Sequence, residues 1–109
     1  MHARQLAFRD AQSAINALED ARARLVDEGV RVAVVLCKQH GECTAQDVFA
    51  RMDADGLLSE GDKAINARWL GSVFRGKAGR RLFYPCGFRM VANAERNAHS
   101  APRTVWKLL

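Results

Sequence analysis

Residues 3 to 28 contain neither glycine nor proline, and that constrains the fold more than any other feature of the chain. The segment is rich in Ala, Leu, Gln, Glu and Arg, which lose little side-chain freedom in a helix, so nothing local pulls the backbone out of helical geometry. Ala7, Ala11, Ala14, Ile15, Leu18, Ala21 and Leu25 recur at spacings of three and four and form one stripe. A helix of about 25 residues is roughly twice the usual ~11–12, so part of its stripe needs a partner. Either the rest of the chain covers it or a second copy does, and an alanine seam permits the close approach that both require. Gly29 is expected to end this helix.

The next stretch, "VRVAVVLCKQHG", sets strand-favouring valines against a length and a basic end that suit a helix. Lys38 and His40 before Gly41 decide for a helix over Val30–His40. Thr44 and Asp47 have capping-box spacing and open a further helix, with Val48, Phe49 and Met52 inward and Gly56 as its end. Ser59 and Asp62 repeat that arrangement before a helix predicted from about Asp62 to Arg75. Its core stripe is Ala67, Leu70 and Phe74, widened by Trp69 and Val73, which leaves Arg68, Gly71, Ser72 and Arg75 on the opposite side.

Beyond Gly76 and Gly79 the pattern becomes alternating. Phe88–Ala92 and Arg103–Leu109 read as two strands across the loop "NAERNAHSAP", with Phe88, Met90, Thr104, Trp106 and Leu108 inward and Arg89, Arg103 and Lys107 outward. "RLFY" (81–84) reads as a further short strand, turned at Pro85-Cys86-Gly87. A chain of 109 residues can bury a single core. The expected fold class is therefore α+β and mainly helical, with residues 1–28 as an N-terminal helix for packing or dimerisation and 29–109 as the domain proper.

The net charge of +5 conceals a split. Residues 1–67 hold 8 Lys/Arg and 11 Asp/Glu, a balance of −3, whereas residues 68–109 hold 9 Lys/Arg and only Glu95, a balance of +8. Such asymmetry within one small domain places a positive field on one side and points to a phosphate-bearing or acidic partner.

Other functions find little support. The longest apolar run, Val32–Cys37, is six residues, against about 20 for a membrane span, and the charged N-terminus is unlike a signal peptide, so a cytoplasmic protein is expected. There is no GxSxG, HExxH or phosphate-loop motif, and Cys37 with His40 lacks a marked orienting group, so neither an enzyme nor a cofactor is expected. In "DADG", aligning Gly56 with the glycine of a calcium loop puts Arg51 where the first carboxylate belongs. Three cysteines without a CxxC pair read as reduced thiols; the alternative is a zinc set of Cys37, His40 and Cys43 with Cys86 or His99.

The order of elements is a helix, a short link at Glu42-Cys43, two helices and a hairpin with a basic loop. It is carried by "HGECTAQDVFARM", "ARWLGSVFRG" and "FRMVANAERNAHSAPRTVWKLL". Over roughly residues 30–109 this resembles the winged helix-turn-helix family. The resemblance implies sequence-specific binding of double-stranded DNA by a small transcriptional regulator, which the N-terminal helix, outside the resemblance, could make a homodimer. Helix 62–76 would enter the major groove, and wing 93–102 would follow the adjacent backbone or minor groove.

On that reading Arg68 and Arg75 reach guanine edges or phosphates, Ser72 bonds to either, and Gly71 lets the groove wall approach. Lys77, Arg80 and Arg81 clamp phosphates, Arg96, Asn97, His99 and Arg103 belong to the wing, and Thr44 and Gln46 meet phosphate from a helix N-terminus. Two alternatives remain: RNA or nonspecific nucleic-acid binding, and a winged-helix protein-interaction module. The module would be, for example, a phage or mobile-element protein using the basic face on an acidic partner or host nucleic-acid machinery.

Overall fold

In the computed structural model the two helices expected on either side of Gly29 are one, α1, running unbroken over 39 residues from His2–His40. The structure describes residues 2–64, 68–92 and 100–109, with side chains for 19–64, 68–90 and 102–109. Gly29 is buried inside α1, and a Cβ there would lie 2.6 Å from Val73 Cγ2 and 3.4 Å from the Trp69 ring. The glycine is thus required by close packing and does not stop the helix. Leu25, Gly29, Ala33, Leu36 and Cys37 form the buried face, and that tertiary contact overrides the strand preference of the neighbouring valines. The helix ends at Gly41, whose φ of +85° suits glycine and whose N–H donates to Cys37 O at 2.8 Å.

Both predicted caps form. Before α2 (Ala45–Ala54), Thr44 Oγ1 accepts from Asp47 N–H at 3.2 Å and Thr44 N–H donates to Asp47 Oδ2 at 2.9 Å. Before α3 (Glu60–Ala64), Asp62 N–H donates to Ser59 Oγ at 3.0 Å and Ser59 N–H donates to Asp62 Oδ2 at 2.9 Å. The helix predicted over 62–75 is described as α3 and as α4 (Trp69–Arg75), and residues 65–67 lie outside the described residues.

A short helix α5 (Gly79–Leu82) leads into β1 (Phe83–Ala92), which pairs antiparallel with β2 (Ser100–Leu108). The segment 81–84 is therefore not a separate strand, and Pro85-Cys86-Gly87 is not a turn. It is a bulge, where the register passes from Pro85↔Trp106 to Gly87↔Val105 and leaves Cys86 as the extra residue, with Gly87 at φ +142°. The other edge of β2 bonds to Cys43 in both directions, Cys43 N–H to Trp106 O at 3.0 Å and Trp106 N–H to Cys43 O at 2.8 Å. The whole is α+β: mostly helical, with one two-stranded hairpin and a long N-terminal helix.

The centre of the core is aromatic. Phe74 stacks on Trp106 with centroids 4.9 Å apart and planes at 7°, and meets Phe83 edge-on at 5.2 Å. Val48, Met52 and Val73 are fully buried around them. Phe88 and Met90, expected inward, are 77% and 62% exposed. They pair with Thr104 and Pro102 and so share the face of Trp106, but no element among the described residues packs over them. No helix among the described residues is long and apolar enough to cross a membrane.

Asp62 ties the long helix to this body: its Oδ1 accepts from the Arg24 guanidinium at 2.6 Å. The Ser59 backbone N–H, aided by the Ser59 hydroxyl and Arg24, holds the carboxyl below the usual carboxylate range against the opposing cost of burial. A pKa lower in the folded than in the unfolded state adds stability at neutral pH that disappears as pH falls through the folded value. Asp62→Ala is expected to cost about 1 kcal/mol at neutral pH, the worth of a cap, with the gap to the native chain closing below about pH 4. Denaturant titrations across that range measure it; a gap that persists undiminished at low pH would remove the charged cap from the account.

Candidate nucleic-acid interface

The helical phase of α4 divides its residues as the spacing predicts. Trp69, Val73 and Phe74 are buried, Leu70 is half-buried, and Arg68, Gly71, Ser72 and Arg75 are exposed. Because the inward set is locked into the aromatic core, the outward set is held on a rigid element. Arg75 is fixed further by Trp106 of β2, since its guanidinium carbon stands 5.5 Å from the centre of that ring. Lys77, Arg80 and Arg81 follow on the exposed turn and on α5.

Between the start of α2, α4 and β2 lies a cleft of about 480 Å³. Phe49, Leu70, Phe74 and Trp106 line its apolar part, and Arg75, Arg103, Gln46 and Thr104 supply polar groups. No carboxylate lines it among the described residues. Folding thus brings Gln46, Arg75 and Arg103, from three separate stretches of sequence, to one opening.

The charges sort themselves in the same sense. Several acids of the N-terminal half are engaged with cations of that half: Asp62 with Arg24 at 2.6 Å, Asp53 with Lys63 at 2.9 Å, Asp55 with Arg51 at 3.1 Å and Glu28 with Arg31 at 3.4 Å. Asp47 is paired with Arg89 of β1, a tie between the α2 cap and the hairpin that no local sequence signal announces. Lys77, Arg80, Arg81 and Arg103 are exposed and form no ion pair among the described residues, so their field is not neutralised within the described part of the chain.

Other expected site residues fall differently. Thr44 is fully buried and its hydroxyl caps α2, so it cannot also present itself to a phosphate; the same pattern that marks a helix N-terminus marks its cap. Gln46 is exposed at the cleft. Arg96, Asn97 and His99 of the predicted wing lie outside the described residues.

Among the described residues the zinc set is not gathered. Cys37 and Cys43 are buried with their sulfurs 3.5 Å apart, while His40 and Cys86 are exposed, and the Cys86 thiol donates to Val105 O at 3.4 Å. Burial pushes the Cys37 thiol up and the Cys43 thiol up strongly, which disfavours the thiolates that a metal needs. Among the described residues no group of three or more His, Cys, Asp or Glu side chains is placed to hold a metal ion.

Compared with known proteins, the chain matches no family model, no curated protein and no solved structure.

Proposed function

We propose that the protein binds double-stranded DNA as a winged helix-turn-helix regulator, with α4 toward the major groove and the β1–β2 hairpin alongside as the wing. The observation that carries this reading is the convergence of Arg75 and Arg103 on a cleft that no carboxylate lines among the described residues, continued by Lys77, Arg80 and Arg81, none of which is neutralised by a described carboxylate. The Cys43–Trp106 bridge supports it too, because it joins the link before α2 to the returning strand, the layout in which a winged helix braces its sheet. A second copy joined through the N-terminal part of α1 would make the regulator a dimer, with two such faces for a two-fold site.

A protein-docking role is the second reading, and one observation favours it. Phe88 and Met90 expose apolar surface on the hairpin, 77% and 62% respectively, where backbone contact with DNA would need only charge.

Salt titration of duplex binding separates the two. With about five phosphates neutralised, the logarithm of the binding constant should fall with the logarithm of salt at a slope of about −4 to −5. Changing both Arg68 and Arg75 to Ala should weaken binding by about 1–3 kcal/mol for each arginine that reads a base. Full retention of binding by that double variant removes α4 from the interface. Absence of duplex binding at low salt defeats the DNA reading altogether.

A further inference from the structure

The cleft beside α4 holds more than contact with a nucleic-acid backbone requires. Phosphates are met by cations on an open surface, yet Arg75 and Arg103 stand at a cavity of about 480 Å³ with an apolar lining. Phe49 and Leu70 are half-buried there, over the nearly closed rings of Phe74 and Trp106. An occupant must bring an apolar body of modest size together with an anionic group, because two guanidiniums are present and no carboxylate lines the cleft among the described residues. The Gln46 amide and the Thr104 hydroxyl each both donate and accept, so they match the mixed edge of a heterocycle better than a plain hydrocarbon acid. Gly71 contributes a wall with no side chain: a Cβ there would meet nothing within 4 Å, and the mouth opens beside the exposed face that carries Arg68 and Ser72.

We infer that this cleft is a site for a single unstacked nucleotide, its base against Phe49 and Leu70 and its phosphate between Arg75 and Arg103. The nucleotide is either free or an unpaired one within a strand. The strand-borne case rests on the DNA reading above and makes a bulged or frayed duplex the preferred ligand. The free case stands without that reading.

Three probes applied to the full chain distinguish these sources: adenosine monophosphate, a short perfect duplex, and the same duplex with one unpaired adenosine. Tryptophan fluorescence of a Trp69→Phe chain reports on Trp106 at the cleft, and polarisation of labelled DNA gives the affinities. A strand-borne site predicts binding of the bulged duplex about tenfold tighter than the perfect one, the worth of one well-placed base. Gly71→Leu, which grows into the mouth from an exposed helical position, should bring that ratio to one while the helical circular dichroism stays native.

Saturable binding of adenosine monophosphate, lost in Gly71→Leu and with no duplex bound, keeps the cleft site and removes the DNA reading. Equal affinity for the two duplexes, with the mononucleotide silent, overturns the inference and leaves the DNA reading in place. A preference for the bulge that survives Gly71→Leu overturns the placement in this cleft. Silence toward all three probes overturns both.

Discussion

A Gly29→Leu chain is expected to lose about 1–3 kcal/mol of stability, from overpacking at the crossing of α1 and α4. By helix propensity alone the change should help, since glycine in a helix interior costs about 1 kcal/mol relative to alanine and leucine is nearly as good a helix former. The environment reverses the sign. A Cβ at position 29 lies 2.6 Å from Val73 Cγ2 and 3.4 Å from Trp69, while Val73 is fully buried and stiff at χ1, so neither partner can yield. In a domain of this size such a loss lowers Tm by roughly 5–15 °C, which a thermal melt resolves.

Gly71→Ala is the matched control. It too is a helical glycine, but its missing Cβ points into open space, so the propensity gain of about 0.5–1 kcal/mol should appear undiminished. Opposite signs at the two glycines are the expected pattern, and a Gly29→Leu chain as stable as the native one would refute the crossing.

Phe74→Ala is expected to cost about 3–5 kcal/mol, a large part of the ~5–15 kcal/mol that holds a small domain together. Phe74 is 1% exposed, stacked on Trp106 and set edge-on to Phe83, so it is the side chain that joins α4 to both strands of the hairpin. Its loss leaves a cavity bounded by two other rings that cannot collapse without moving the sheet. Phe74→Leu, which keeps much of the volume but loses both ring contacts, should cost less than Phe74→Ala, about 1–3 kcal/mol. Equilibrium unfolding in denaturant orders the series, and a Phe74→Ala chain with near-native stability would mean that the aromatic stack contributes little. Arg75 is next in sequence yet exposed, so its removal should cost only the ~0.5–1 kcal/mol of its contact with the Trp106 ring.

Where the sequence was legible, the governing interactions were local. Thr44 with Asp47 and Ser59 with Asp62 are three residues apart, and both boxes close as their spacing implies. The division of α4 into buried Trp69, Val73 and Phe74 and exposed Arg68, Ser72 and Arg75 follows from 3.6-residue periodicity. Gly29 looks like a helix stop in the sequence because a glycine that ends a helix and one that admits a crossing helix are alike until Val73, 44 positions later, is seen to lie against it.

Pro85-Cys86-Gly87 carries the residues of a turn, but pairing on both sides of it with Val105 and Trp106 made a bulge the better solution. Phe88 and Met90 alternate correctly, yet alternation fixes only the face and not whether anything covers it. The candidate site divides the same way. The outward arginines were readable one by one, whereas the cleft needed Gln46, Arg75 and Arg103 to converge from three elements, which no spacing encodes.

The unbroken course of α1 makes the chain a rod attached to a head. At about 1.5 Å and 100° per residue, whatever the N-terminal half engages is held at a set distance and azimuth from the basic face, with no joint to average them. One added residue near position 20 would turn that half by more than a quarter of a circle while scarcely lengthening it, and about seven would restore the phase. For two copies gripping one duplex, helical phase would therefore decide whether both heads face the same side of the DNA.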